Sequence, residues 1–237
     1  MMNLIVDFGN SSAKAGIFEQ KELLEVRDKL SLAQVGYLAE ERDFDHIFIS
    51  SVSESRTRIS DAISGNLIFL DHTTPLPFRN DYKTPETLGL DRIGAVAGAQ
   101  ELFPNENVLV IDIGTCITYD VITSDGMYHG GAISPGIDMR FKAVHSFTAN
   151  LPLVSYIENP ALTGKSTIES IQSGVIFGIE GEIRGFVRMY ADKYGDLKII
   201  LCGGGSKIFE LRLKEAIFAA PDLVLRGLNR ILRYNVA

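Results

Sequence analysis

The chain has 237 residues, 46% of them hydrophobic, which is enough to bury one substantial core or two small subdomains sharing an interface. Its formal net charge of −7 works against a polyanionic partner, because nucleic-acid affinity rests on Lys and Arg neutralising phosphates; a small-molecule partner fits better. No apolar run approaches the roughly 20 residues of a membrane-spanning helix, and Leu4-Ile5-Val6 meets Asp7 too soon for a signal peptide, so the expected location is cytoplasmic, with no membrane partner.

In chain order, Leu4 to Asn10 reads as a buried strand ending in Asp-x-Gly-polar, followed by strand-like segments Ala13 to Glu19 and Leu23 to Lys29. A helix over Leu32 to Arg42, a strand over His46 to Ser50, a helix over Glu54 to Ile63 and a strand over Leu67 to Leu70 follow. Thr84 before Pro85 reads as an N-cap and first-turn pair opening the helix that carries Asp91 and Arg92. Phe103-Pro104-Asn105-Glu106-Asn107 then reads as a boundary, being polar and carrying residues that interrupt periodic structure.

The order repeats beyond that boundary. Val108 to Thr115 echoes the first strand, again ending in Asp-x-Gly-polar, and strands Ile117 to Thr123 and Met127 to Ile133 come next. Helices are predicted over Asp138 to Phe147, Thr167 to Tyr190 and Lys207 to Ile217, with a strand over Lys198 to Cys202 and a final helix. The pattern is roughly βββαβα twice. It predicts an α/β chain of two duplicated subdomains, 1–105 and 106–237, with sheets covered by helices and a cleft between them. In the long helix, Gly174, Gly178, Gly181 and Gly185 fall near one face, where each costs about 1 kcal/mol relative to Ala; close approach of a neighbouring helix, in the same chain or a second subunit, would explain them.

Three segments carry candidate chemistry. In Asp7-Phe8-Gly9-Asn10-Ser11-Ser12-Ala13-Lys14, Gly9 lets backbone N–H groups approach an anion, the hydroxyls can donate to phosphate oxygens, and Lys14 offers a countercharge. Asp7 beside phosphate makes sense if a divalent cation lies between them. Taken alone, this segment also suits an ordinary β-hairpin with Asx-type turn bonds. Asp112-Ile113-Gly114-Thr115 repeats the device in the second half. Leu201-Cys202-Gly203-Gly204-Gly205-Ser206 ends a strand and opens a helix, so a flat ligand could lie against its glycines. Cys116 and Cys202 have no second Cys or His at ligand spacing, so neither a structural zinc nor a disulfide is expected. Arg226, Arg230 and Arg233 near one face of the last helix favour its dipole without any ligand.

Two Asp-x-Gly loops followed by a Gly-rich loop resemble the acetate and sugar kinase, Hsp70 and actin superfamily, and imply duplicated actin-like (ribonuclease H-like) subdomains with a nucleotide cleft. The block Tyr82-Lys83-Thr84-Pro85-Glu86-Thr87-Leu88-Gly89-Leu90-Asp91-Arg92 closely resembles a signature of type III pantothenate kinases, Tyr-x-x-Pro-x-x-Leu-Gly-x-Asp-Arg. The resemblance extends to Gly130-Gly131-Ala132-Ile133-Ser134-Pro135-Gly136, Thr148-Ala149-Asn150-Leu151-Pro152, and Ser166-Thr167 before Ile171-Gln172-Ser173-Gly174. It implies ATP-dependent phosphorylation of pantothenate, with ATP phosphates against Asp7, Phe8, Gly9, Asn10, Ser11, Ser12, Ala13 and Lys14 and against Thr115. Magnesium would accompany ATP, and Asp112 would hold a monovalent cation, potassium or ammonium. Pantothenate would lie against Tyr82, Gly89, Leu90, Asp91, Arg92 and Thr167, with Asp91 as proton acceptor. The resemblance also implies a homodimer with the active site at its interface, the Thr148 to Pro152 loop approaching the partner's substrate. Many relatives have Asn-Thr after the first Asp-x-Gly; here Asn10-Ser11-Ser12 keeps the hydroxyl. Rival readings are a kinase of another small hydroxy acid or sugar on the same fold, and a non-catalytic regulator that kept it.

Overall fold

The computed structural model describes residues 1–210, 212–213 and 217–236. By internal contacts the chain forms two compact units: unit 1 comprises Met1–Asn105, Ile122–Gly130 and Asp222–Ala237, and unit 2 comprises Glu106–Val121 and Gly131–Pro221.

In unit 1, β1 (Met2–Phe8), β2 (Ala13–Glu19), β3 (Glu22–Leu30), β4 (His46–Ser51) and β5 (Leu67–Phe69) form a sheet in the order β3-β2-β1-β4-β5. The β1–β2 and β2–β3 pairs are antiparallel, whereas β1–β4 and β4–β5 are parallel. The parallel joins need crossovers, supplied by α1 (Leu32–Glu40) and α2 (Arg56–Ala62). Ser31 caps α1 reciprocally with Gln34, and Ser55 accepts from Arg58 N at the start of α2. Leu4, Val6, Ile17, Val35, Leu38, Ile47, Ile49 and Ile59 form the core beneath.

The segment after β5 departs from expectation. Pro85–Thr87 is a single 3-10 turn, Thr84 makes no side-chain cap bond to it, and Leu88 is extended, so the helix does not open at Thr84. It opens at Gly89 instead, giving α3 (Leu90–Leu102). Burial of Leu88 in the core competes with continued helix and wins. Along its length α3 packs on the closing helix α7 (Leu223–Val236). A Cβ on Gly227 would lie 1.7 Å from the Gly94 carbonyl oxygen, and one on Gly98 would lie 2.4 Å from that of Leu223. Glycine at these positions lets the two backbones touch, which fixes the axis of α3 and therefore where its first turn points. Two α7 arginines are taken up in this packing, Arg230 with Gln100 and Arg233 with Glu101, while Arg226 pairs with Asp222 one turn back. A two-residue strand that the sequence pattern does not announce, β6 (Arg79–Asn80), pairs parallel with the start of β9 (Met127–Pro135).

In unit 2, β7 (Val108–Ile113), β8 (Cys116–Ile122), β10 (Lys198–Cys202) and β11 (Ile217–Ala219) join β9 in the order β11-β10-β7-β8-β9. Helix α4 (Ile137–Ser146) follows β9, and the 28-residue α5 (Thr167–Tyr194) lays Ile171, Val175, Ile176, Ile179 and Ile183 into a core with Leu109, Ile111 and Ile117. The helix expected over Lys207 to Ile217 is shorter. Its first turn is α6 (Ser206–Glu210), Leu211 and Lys214 to Ala216 lie outside the described residues, and Ile217 opens β11, parallel to β10. Among the described residues, no helix is long and apolar enough to cross a membrane.

Candidate active site

Unit 1 assembles the first site from two elements. The β1–β2 connection spans Gly9 to Ser12; Gly9 N donates to Ser12 O at 3.2 Å, and Ser53 Oγ donates to Gly9 O at 2.8 Å. Asn10, Ser11 and Ser12 are exposed, with Phe8 and Ala13 buried below them as strand ends. Asp7, near the end of β1, is half-buried, yet its Oδ1 is shut off from solvent with no hydrogen-bond partner among the described residues. Burial above all, opposed by Ser50 and Lys14 and helped by the nearby Asp91 carboxylate, raises its pKa to about 6. Ser50 sits opposite Asp7 in the β1–β4 register, close enough to influence the carboxyl without completing a hydrogen bond of ordinary geometry. Lys14 forms an ion pair with Asp28 at 3.5 Å.

The influence of Asp91 on Asp7 brings the two sequence-predicted acids into one site, 84 positions apart in the chain. Asp91 stands in the first turn of α3, where the helix dipole favours an anion, and its Oδ1 accepts from Arg92 N at 2.8 Å. A Cβ on the N-cap Gly89 would meet that Oδ1 at 2.4 Å, so glycine there gives the carboxylate its room. Arg92 is only 6% exposed, and its guanidinium lies 5.5 Å from the Tyr82 ring centroid. Tyr82 stacks on the buried Tyr128 at 6.3 Å and 13°, and Gly130, at φ +83°, has no Cβ to strike the ring. Tyr82, Gly89, Leu90, Asp91 and Arg92 therefore form one local surface. Sequence reasoning missed Tyr128 and Ser50, because pairing across strands leaves no short-range signal.

Unit 2 assembles the second set. The β7–β8 connection is a two-residue turn, Gly114-Thr115, closed by Gly114 N donating to Cys116 O at 2.9 Å; the echo of the first loop holds for the strands and not for loop length. Thr115 is exposed and Asp112 half-buried. Gly203, at φ +82°, lies so close to Asp112 that a Cβ would sit 2.2 Å from its Oδ1, and Gly205 N donates to Ile113 O at 2.8 Å. The Gly-rich loop is thus pressed against Asp112 and Ile113, at the end of β7, within one unit. Thr167 begins α5 and lines an open groove of about 990 Å³ with Arg140, Leu151, Lys165 and Ile171. His145 donates from Nδ1 to Leu151 O at 2.7 Å, which ties it to the Thr148 to Pro152 loop.

A family model described as type III pantothenate kinase matches residues 3–189. The chain belongs to the type III pantothenate kinase family. It is 45% identical over 243 residues to the type III pantothenate kinase of Christiangramia forsetii, covering 99% of each chain, and 46% identical over 239 residues to that of Phocaeicola vulgatus, again covering 99% of each. Among solved structures, a Baf family protein from Campylobacter jejuni superposes with a TM-score of 0.61 at 22% identity, over 98% of both chains. Component A of (R)-2-hydroxyglutaryl-CoA dehydratase from Acidaminococcus fermentans does so at 0.52 and 14%, over 99% of this chain and 97% of that one. These structural likenesses speak for the fold, which is the duplicated actin-like one. As a member of a kinase family, the chain uses ATP.

Proposed function

We propose that this chain transfers the γ-phosphoryl group of ATP to pantothenate, giving 4'-phosphopantothenate and ADP, the first step of coenzyme A biosynthesis. The observation that carries this reading is the placement of Asp91 and the buried Arg92 on the first turn of α3, beside Tyr82 and within electrostatic reach of Asp7. Arg92 offers a planar fork for the substrate carboxylate, with Tyr82 holding its face. Asp91 orients the substrate hydroxyl and takes its proton as the new O–P bond forms and the bond from the γ-phosphorus to the β,γ-bridging oxygen breaks. The transition state is loose, so in-line placement and charge neutralisation contribute more than deprotonation itself.

The loop from Asp7 to Lys14 and the Gly114-Thr115 turn are assigned to ATP phosphates, through backbone N–H groups and the Ser11, Ser12 and Thr115 hydroxyls. The partnerless Oδ1 of Asp7 suits magnesium or one of its waters: a carboxylate oxygen buried without a donor is what such an ion needs. Among the described residues no group of three His, Cys, Asp or Glu side chains converges, so Asp7 would share the ion with phosphate oxygens. When bound, magnesium supplies positive charge against the phosphates. Asp112, whose Oδ1 stands beside the side-chain-free Gly114 and Gly203, is assigned a potassium or ammonium ion.

A homodimer also belongs to this reading. Among the described residues, no heavy atom outside the α5 backbone lies within 4 Å of a Cβ built on Gly174, Gly178, Gly181 or Gly185, so close packing against them does not account for these glycines. A second copy packed on that face would give them a reason, and would bring Thr167 near an active-site boundary. We place the reaction in the cytoplasm, where ATP is available. Asp91→Asn tests the assignment: the variant should keep the wild-type fold by circular dichroism and lose turnover by about a hundredfold or more. Near-normal activity would remove Asp91 from the mechanism.

A further inference from the structure

Of the stretch from Gly130 to Gly136, the ATP and pantothenate contacts account only for the glycine at 130. The remaining residues belong to unit 2. A Cβ on Gly131 would lie 1.5 Å from the Tyr119 carbonyl oxygen, and one on Gly136 would lie 2.4 Å from that of Gly114 and 2.5 Å from that of Thr115. Gly136 N donates to Thr115 O at 3.0 Å. The end of β9 is therefore pressed directly onto the Gly114-Thr115 turn.

From the other side the same stretch is held by one carboxylate. Glu182, in the middle of α5, accepts from Ser134 Oγ at 2.5 Å and from the Tyr119 hydroxyl at 2.9 Å on Oε1, and from Arg140 Nη2 at 2.6 Å on Oε2. Arg140 in turn donates from Nε to Pro135 O at 2.8 Å. Three side chains from β8, β9 and α4 thus converge on one acid from α5, and two of them fix the residues just before Gly136. Carboxylates gathering three donors are among the stronger polar anchors, and a network of this kind holds its members in one arrangement.

We propose that Glu182 is a positioning residue for ATP, holding Ser134 and Arg140 so that Gly136 keeps the Gly114-Thr115 turn in its phosphate-binding shape. This role rests on the assignment of that turn to ATP phosphate. Glu182 is suited to the task in its charged form. Burial pushes its pKa up, but the bonds from Ser134, Arg140 and Tyr119 outweigh burial and hold it below the ordinary glutamate value. Burial first, and the bond to Glu182 second, push the Tyr119 hydroxyl upward, so it remains a donor.

Glu182→Gln keeps the shape of the side chain and removes the charge that draws Arg140. Steady-state kinetics should show the KM for ATP raised about tenfold, equivalent to about 1.4 kcal/mol, with the KM for pantothenate within about twofold of wild type. A purely structural role would lower kcat through loss of folded enzyme and leave both KM values alone, and that outcome overturns the proposal. Thr115→Ala tests the turn separately. If Thr115→Ala raises the KM for ATP and Glu182→Gln does not, Glu182 has no positioning role. If neither variant changes it, the assignment of the turn itself fails, and the proposal with it. Ser134→Ala deletes one donor and leaves the Arg140 pair, so it should shift the KM for ATP in the same direction by about threefold. Should Glu182→Gln not fold, this milder variant decides the question: an unchanged KM for ATP in folded Ser134→Ala overturns the proposal.

Discussion

Replacing Asp7 by Asn should make the ligand-free protein more stable at neutral pH while removing its activity. Burial and the neighbouring Asp91 raise the Asp7 pKa from 3.8 to about 6. Between those values the unfolded chain has released the proton and the native protein still holds it, so this group makes stability fall as pH rises from about 4 to 6. Above about pH 7 the full penalty is present: a shift of about 2 units at 1.36 kcal/mol per unit is about 3 kcal/mol. Asn carries no charge and escapes it. For a chain of this size 1 kcal/mol corresponds to roughly 2–4 °C in Tm, so Asp7→Asn should melt roughly 6–12 °C above wild type at pH 8. The difference should narrow toward pH 5 and close near pH 4. Urea unfolding followed by circular dichroism at several pH values, with ATP and magnesium absent, measures this directly. A variant less stable than wild type at pH 8, or a difference that does not change with pH, would refute the account of Asp7 as a charge held at a cost until a cation arrives. In the wild type, turnover should fall as pH drops through about 6, because the protonated acid no longer attracts a cation.

Three further outcomes follow from the same geometry. Arg92→Lys removes the planar fork and weakens the contact with Tyr82; the KM for pantothenate should rise about tenfold or more with the KM for ATP little changed, as read by initial rates at saturating co-substrate. Gly136→Ala places a methyl group within 2.5 Å of two carbonyl oxygens, and should cost about 1–3 kcal/mol of stability and most of the turnover, measured by melting and by kinetics on the folded fraction. Gly178→Leu adds a side chain where the described residues offer no obstacle, so the protein should fold but sediment as a monomer in analytical ultracentrifugation; an unchanged dimer would place the subunit contact elsewhere.

Most strands were legible in chain order, the central ones because buried strands carry long apolar runs: Leu4 to Val6 and Val108 to Ile111 are fully buried, as their sequences require. Helices with a side-chain cap were also legible, α1 with Ser31 and Gln34 among them. The start of α3 was not. Thr84-Pro85 has the local chemistry of a helix start, but burial of Leu88 in an extended conformation is a tertiary demand that no local pattern encodes. The strand at Ile217 was read as helix for a similar reason, since β11 exists only by pairing with β10. Of the site, Asp7, Asp91 and Asp112 were visible as motif residues, whereas Ser50, Tyr128 and Glu182 declare themselves only through the strands and helices that bring them alongside. The arginines of α7 were read only as cations that favour a helix dipole; in the structure they pair with Asp222, Gln100 and Glu101.

The most direct measurement is ADP formation by the purified protein with ATP and magnesium, with and without pantothenate, in potassium, ammonium or sodium salts. Pantothenate-dependent turnover, stimulated by potassium or ammonium over sodium, is the predicted result. Folded protein that binds ATP but forms no ADP with pantothenate under any of these salts would contradict the kinase reading and favour a regulator; turnover with another hydroxy acid or sugar alone would move the substrate assignment away from pantothenate.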